Sequence, residues 1–121
     1  MPKILIVEDE KNLAAAYQTI LEKHGYKVEL AYNGQQALDA VAKDMPNLIL
    51  LDMKMPKMGG LDFLRELDKL SIDSSEHVIV FSNQDAGSDI EEAFRLGANR
   101  YLLKSWASPG DLAKVVQEAL S

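Results

Sequence analysis

Short runs of apolar residues alternate along this chain with stretches in which apolar residues recur at helical spacing. Five runs predict strands, and they cover residues 4–7, 28–30, 48–51, 78–81 and 101–103. The run around Val28 is the weakest, and the run at 48–51 is the most apolar. Continuous apolar runs are typical of strands that are buried on both faces, as in a parallel sheet covered by helices.

The intervening stretches predict five helices, whose apolar positions include Leu70 in the third and Phe94 in the fourth. Local signals mark where the helices begin or end. These signals are Gly25 after the first helix, Asn33-Gly34 before the second, Gly59-Gly60 before the third, a capping-box pattern of Ser88 and Glu91 at the fourth, and Ser108-Pro109 at the fifth. A βα unit repeated five times with right-handed crossovers predicts one α/β domain over residues 1–121. We expect a flavodoxin-like, doubly wound, five-stranded parallel sheet of order 2-1-3-4-5.

Composition and charge narrow the function classes. The 121 residues include no cysteine, which excludes disulfides and thiolate metal sites. A net charge of −6 argues against nucleic-acid binding by this domain. No stretch approaches the ~20 apolar residues of a membrane helix, and the N-terminus lacks a signal-peptide pattern. We therefore expect a cytoplasmic domain that binds neither membrane nor nucleic acid.

Charged and polar residues stand where the predicted strands end. They are Glu8 and Asp9 after the first strand, Asp52 after the third, Ser82 after the fourth and Lys104 after the fifth. Ligand sites in doubly wound sheets lie outside the carboxyl ends of the strands. Since the first and third strands are neighbours, the three carboxylates should lie close together and repel one another, which a bound Mg²⁺ would relieve. Such a metal, together with Lys104, could neutralise a phosphoryl group on a carboxylate.

Each of these residues also has an ordinary structural interpretation. Asp9 could cap the first helix, Asp52 could be a turn acid, Ser82 could bond the backbone of a loop, and Lys104 could be solvated. Their convergence on one edge, in the correct strand order, favours a site. The two histidines, His24 and His77, are expected away from this edge, as structural or exposed residues.

Over essentially the whole chain, these residues resemble the receiver domains of response regulators, the CheY-like superfamily of two-component and phosphorelay signalling. The matching positions are Glu8-Asp9, Asp52 within Leu50-Leu51-Asp52-Met53-Lys54-Met55-Pro56, Met58-Gly59-Gly60, Ser82, Tyr101 and Lys104. The match is specific, because several separated positions fall at the spacing of the family.

The resemblance implies that Asp52 is the nucleophile that accepts a phosphoryl group in a Mg²⁺-dependent reaction. The donor would be a phosphohistidine on a histidine kinase or a histidine phosphotransfer protein. Asp9 would ligate the metal directly and Glu8 through water, with Asp52 and the backbone carbonyl of Lys54 completing the protein ligands. Such a domain catalyses its own phosphorylation and dephosphorylation, but it acts mainly as a signalling switch.

The resemblance also implies how the signal leaves the domain. Ser82 and Lys104 would contact the phosphoryl group, and Tyr101 would be the aromatic residue that turns inward when Ser82 shifts. The downstream target would bind the face formed by helix four, strand five and helix five. Early contact with the donor would involve Asn12, Leu13 and Ala16 on helix one.

Several positions depart from the family pattern or tune it. Glu8 stands where Asp is commoner, and Asn83 stands where a small residue is usual and narrows access for the phosphoryl group. Ser105 replaces the usual cis-linked proline. Lys54 can shield the phosphoryl group from water and Gln84 is a poor general base, so both favour a long-lived phosphoryl state.

Three other functions are weighed against a phosphorylated switch. A degenerate receiver would be a constitutive binding module, and the acceptor residues argue against it. A haloacid-dehalogenase-type phosphatase would need a second Asp where Lys54 stands. A flavodoxin-like cofactor carrier would need a phosphate-binding loop after the first strand, which is not seen. The end of the chain at Ser121 suits a stand-alone receiver and equally one cut from a longer regulator.

Overall fold

Strands and helices alternate throughout the computed structural model, which describes residues 2–53, 55, 58–70, 78–82, 88–103 and 108–120. The strands are β1 (Lys3–Val7), β2 (Lys27–Ala31), β3 (Leu48–Asp52), β4 (Val78–Ser82) and β5 (Arg100–Leu103). The helices are α1 (Lys11–Lys23), α2 (Gly34–Lys43), α3 (Gly60–Lys69), α4 (Ser88–Arg95) and α5 (Pro109–Leu120). Within these described residues, no helix has both the length and the hydropathy needed to span a membrane.

All five strands lie parallel in one sheet of order β2-β1-β3-β4-β5. This confirms the predicted flavodoxin-like topology. β1 lies between β2 and β3, so the strand order reverses direction beside β1. In the pairing register Val7 lies opposite Leu51, and Asp52 lies opposite Phe81. The carboxyl ends of β1, β3 and β4 therefore finish side by side.

Each face of the sheet carries its own hydrophobic core, which explains the continuous apolar runs. Leu5 and Val7 of β1 belong to a core that also contains buried residues of α2, α3 and α4. Ile4 and Ile6 of the same strand belong to a second core with α1 and α5. Because successive side chains of a strand point to opposite faces, every position of a covered strand must be apolar. β2 is an edge strand with half-buried positions, which accounts for its weaker pattern.

The structure confirms three of the predicted helix-end signals. Gly25 adopts a φ of 90° directly after α1, a backbone conformation that favours glycine. Asn33 caps α2, since its side-chain oxygen accepts a hydrogen bond from the N–H of Gln36 at 2.9 Å. At the start of α5, the Ser108 hydroxyl accepts from the N–H of Asp111 at 3.2 Å.

Two apolar residues lie outside the cores that their helical spacing suggested. Phe94 in α4 is 45% exposed, and Leu70, just after α3, is 60% exposed. Ala93 is the buried residue at this part of α4, and the next residue points about 100° away around the helix. The capping-box pattern of the fourth helix depends on the side chain of Ser88, which lies outside the described part of the structure.

Candidate functional site

Three carboxylates meet at the carboxyl edge of the sheet. Glu8 and Asp9 directly follow β1, and Asp52 is the last residue of β3. The pairing of Val7 with Leu51 brings these two strand ends together. Each residue offers a carboxylate oxygen, and these oxygens all lie within 4.8 Å of one another. The proximity expected from the strand order is thus confirmed.

The three acids differ in their exposure. Glu8 is fully buried and Asp52 is only 4% exposed, whereas Asp9 lies at the surface. Oδ and Oε atoms of carboxylates are hard ligands, which suits a divalent cation such as Mg²⁺. Buried carboxylates at this separation repel one another, and a cation would remove that cost. The donor set therefore fits a metal that is reached from the solvent side, beside Asp9.

The backbone at the start of α1 holds Glu8 in place. Its Oε2 accepts a hydrogen bond from the N–H of Glu10 at 3.2 Å, and its own N–H donates to the carbonyl of Ala31 at 3.0 Å. The N-cap of α1 is Glu10, and no side chain caps that helix end. The alternative in which Asp9 caps the first helix is therefore not what the structure shows. The Asp9 carboxylate instead lies within 4.8 Å of the carboxylate oxygens of Glu8 and Asp52.

Ser82 lies at the same edge, one strand further along. It is the last residue of β4 and is 1% exposed. It follows Phe81, which is the register partner of Asp52, so the hydroxyl residue and the central carboxylate end adjacent strands. Ser82 itself pairs with Leu103, the last residue of β5. The strand ends thus converge as the sequence analysis expected.

Tyr101 lies on β5, deeper in the sheet than the strand ends. It pairs with Val80 and is half-buried. Its ring packs against the core that contains residues of α2, α3 and α4. Five further candidates lie outside the described residues: Lys54, Asn83, Gln84, Lys104 and Ser105.

An aromatic pair that the sequence pattern does not indicate lies beneath the site. The rings of Tyr17 and Phe81 meet edge to face, with centroids 5.5 Å apart and an interplanar angle of 78°. Both residues belong to the core that includes α1 and α5. The pair joins α1 to the strand that ends at Ser82. Only the helical spacing of Tyr17 hinted at its burial, since nothing local links these two positions.

The first residue of α3, Gly60, lies close to the main chain at the end of β3. The N–H of Gly60 donates to the carbonyl of Met53 at 3.1 Å. A Cβ at position 60 would lie 2.7 Å from the carbonyl oxygen of Asp52 and 2.9 Å from the Cα of Met53. A side chain there would collide with main chain, so glycine is required by space. The first turn of α3 is in this way pressed against the residue that ends β3.

Comparison with known proteins gives a consistent result. The family described as the response regulator receiver domain matches residues 4–117. The chain is 39% identical over 112 residues to the uncharacterized transcriptional regulatory protein YkoG of Bacillus subtilis, covering 93% of this chain and 48% of that protein. It is 37% identical over 113 residues to sporulation initiation phosphotransferase F of the same organism, covering 93% of this chain and 86% of that protein. The chain thus spans about half the length of YkoG and most of the phosphotransferase.

Solved structures agree with the sequence comparison. A CheY-like response regulator receiver domain protein from Methanospirillum hungatei JF-1 superposes with a TM-score of 0.89 at 29% identity, over 99% of this chain and 94% of that one. The Vibrio cholerae chemotaxis protein CheY4 gives a TM-score of 0.89 at 28% identity, over 99% of both chains.

Proposed function

The chain belongs to the response regulator receiver domain family, and from this premise we propose that Asp52 accepts a phosphoryl group and so switches a partner-binding face. The observation that carries this proposal is the cluster of Glu8, Asp9 and Asp52, whose oxygens lie within 4.8 Å of one another. Of these three acids, Asp52 alone is the last residue of a central strand. Its main chain is also in close contact with Gly60, the first residue of α3. Asp52 therefore has the fixed position that a nucleophile requires.

The proposed reaction is an in-line phosphoryl transfer. An oxygen of Asp52 forms a bond to the phosphorus of a phosphohistidine, and the bond from phosphorus to the imidazole nitrogen breaks. The electron pair stays on that nitrogen, which is the leaving group and takes up a proton. Asp9 and Glu8, with Asp52 and the carbonyl of Lys54, are the proposed metal ligands. When bound, Mg²⁺ would supply charge neutralisation for the phosphoryl oxygens.

Ser82, at the end of the neighbouring strand β4, and Lys104, which follows β5, are proposed to contact the transferred group. Ser82 is buried at the end of β4, beside the strand that carries Asp52. A hydroxyl can donate to a phosphoryl oxygen, and an ammonium can pair with it. The shift of Ser82 toward the phosphoryl group would leave room for Tyr101 to turn inward. The domain would then have two states, without and with the phosphoryl group, that differ in the local charge at Asp52 and in the position of Tyr101.

The face formed by α4, β5 and α5 is proposed to bind the downstream target. Phe94 on α4 is 45% exposed, and an exposed aromatic ring of this kind is a common anchor in protein interfaces. On the same face an ion pair joins Arg100 of β5 to Glu118 of α5 at 3.2 Å. Tyr101, next to Arg100, would transmit the change at the site to this surface.

Receiver domains of this family interact with histidine kinases or phosphotransfer proteins, and we propose that the donor first contacts the start of α1. Asn12 and Ala16 are exposed there, and Leu13 is half-buried. α1 begins two residues after Asp9, and these residues lie in its first two turns, so a donor histidine bound there would reach the carboxylate cluster.

Substitutions at two neighbouring acids test the proposed role of Asp9 as a metal ligand. We expect Asp9→Ala to abolish phosphorylation by a small-molecule phosphodonor with Mg²⁺, because the exposed oxygen ligand is lost. The matched control is Glu10→Ala, since Glu10 is the next acidic residue, is exposed, and makes no side-chain cap bond. Intact-mass measurement should show the gain of one phosphoryl group in the parent and in Glu10→Ala. Normal phosphorylation of Asp9→Ala would refute the assignment.

The lifetime of the phosphoryl group offers a second test. We propose that the Lys54 side chain covers the phosphoryl group and excludes the in-line water, while the amide of Gln84 is a poor base for that water. Lys54→Asn should therefore lose its phosphoryl group several-fold faster than the parent, measured as first-order decay in Mg²⁺. An equal or slower rate in the variant would rule out the shielding argument.

A further inference from the structure

The start of α2 touches the segment that follows Asp52. Gly34 is the first residue of α2, and its N–H donates to the carbonyl of Met58 at 3.1 Å. The first N–H groups of a helix have no partner within the helix. Here one of them is satisfied by the segment between β3 and α3, so the two elements are joined by main chain as well as by packing.

The side chain of Met58 lies directly on the bare backbone of Gly34. A Cβ at position 34 would lie 2.5 Å from Cγ of Met58, and 2.8 Å from both its Cβ and its Sδ. The glycines of positive φ among the described residues are Gly25 and Gly97, so Gly34 has an ordinary backbone conformation. Glycine is therefore needed at this position for space, to let Met58 approach.

Residues 58–60, which lead into α3, are thus held at two points. At one end Gly60 is pressed against the main chain of Asp52 and Met53, and a few residues earlier Met58 is seated on Gly34. Met58 and Met55 also pack against the core that includes α2 and α3. A shift of Met58 away from α2 would break its contact and its hydrogen bond with Gly34.

We propose that Gly34 is a positioning residue for the metal and phosphoacceptor site, acting through Met58. The inference rests on the proposed metal role of Asp52, because residues 58–60 join Gly34 to Gly60, which lies against the main chain of Asp52. α2 supplies none of the three carboxylates of the cluster. Residues that orient metal ligands without touching the metal commonly change metal affinity by about 10–100-fold when they are altered.

The test is a double-mutant cycle between positions 34 and 58. Gly34→Ala should weaken Mg²⁺ binding by about tenfold in calorimetric titration, because the added methyl group displaces Met58 and with it Gly60, which lies against Asp52. All three atoms that the methyl group meets belong to the Met58 side chain. In a Met58→Gly background, the same Gly34→Ala change should therefore cost almost nothing.

The matched control is Gly110→Ala, another glycine in the first turn of a helix. A Cβ at position 110 would meet only Ser108 Oγ, at 3.8 Å, which is an ordinary contact. Gly110→Ala should leave Mg²⁺ affinity unchanged. It also measures the gain in helix stability that any Gly→Ala change in a first turn brings.

Amide hydrogen exchange in metal-free protein separates this inference from the proposed function. In Gly34→Ala, the N–H of residue 34 and the N–H of Gly60 should exchange faster than in the parent. In Gly110→Ala, the N–H of Gly60 should exchange at the same rate as in the parent. If the parent binds no Mg²⁺ while exchange responds as expected, the proposed function fails and the positioning of residues 58–60 by Gly34 stands. If Gly34→Ala leaves Mg²⁺ affinity and exchange at Gly60 unchanged, the inference is overturned. A penalty of equal size in the Met58→Gly background would also overturn it.

Discussion

Asp52→Asn should make the metal-free protein more stable while abolishing phosphorylation. The change keeps the shape of the side chain but removes one charge from a cluster in which Glu8 is fully buried and Asp52 is 4% exposed. The carboxylate oxygens lie within 4.8 Å of one another, so the native state carries a repulsion that the unfolded chain does not. Sites built for function often retain such destabilising features.

The magnitude follows from the separation and the burial. Two unit charges about 5 Å apart at an effective dielectric constant of about 20 repel by about 3 kcal/mol. Part of this gain is offset because the neutral amide makes weaker hydrogen bonds than the carboxylate. We expect a net stabilisation of about 1–2 kcal/mol, which raises the Tm of a domain of this size by about 3–10 °C.

Thermal unfolding, followed by calorimetry in the presence of a chelator and then in excess Mg²⁺, measures both halves of this prediction. Metal that binds only the folded state stabilises it, so Mg²⁺ should raise the Tm of the parent more than that of Asp52→Asn. The control is Asp39→Asn, an exposed acid on α2 whose Oδ1 accepts from Gln35 at 3.1 Å, a bond that Asn can keep. It should change stability by less than about 0.5 kcal/mol. Two results would show that charge repulsion in the cluster is not the cause. In one, Asp52→Asn is no more stable than the parent without metal; in the other, Asp39→Asn raises the Tm as much as Asp52→Asn does.

Three further changes test how the fold supports the site. Gly60→Ala should destabilise the protein by about 1–3 kcal/mol in urea unfolding and slow phosphorylation, because its Cβ would lie 2.7 Å from the carbonyl of Asp52; unchanged stability would contradict the close approach. Ser108→Ala should cost about 1 kcal/mol, measured in the same way, since the hydroxyl caps α5, and phosphorylation should be unaffected. The hydrogen bond and ion pair with Glu29, at 3.0 Å, raise the pKa of Lys3 above its usual 10.5. The stability from this pair is therefore present at neutral pH and is lost as the pH rises past that value. Lys3→Met should lower the free energy of unfolding by less than about 1 kcal/mol at pH 7. If the variant were still less stable than the parent in strongly alkaline solution, the ion pair could not be the cause.

The features that the sequence predicts correctly depend on local patterns of apolar residues and on helix-end residues. Continuous apolar runs such as 48–51 report burial on both faces, and Gly25 and Asn33 report where helices stop and start. Once five βα units are counted, topology rules place Glu8, Asp9 and Asp52 on one edge without any knowledge of side-chain packing. The carboxylate cluster is therefore predictable from the sequence alone.

The features that sequence reasoning missed depend on contacts between residues far apart in the chain. Nothing near Tyr17 indicates that its ring meets Phe81, and nothing near Gly34 indicates that Met58 lies on it. Helical spacing also counted Phe94 as a core position, whereas tertiary packing of the short α4 leaves it 45% exposed. The helix-capping alternative for Asp9 could be decided only by the backbone, which makes Glu10 the N-cap.

Locating the phosphoryl group tests the central claim most directly. Protein treated with a small phosphodonor and Mg²⁺ is reduced with borohydride, which converts an aspartyl phosphate to homoserine, and the modified peptide is sequenced by mass spectrometry. The account predicts homoserine at position 52 and none in the Asp52→Asn variant. Modification at Glu8 or Asp9 instead, or no modification although Mg²⁺ binds, would contradict it.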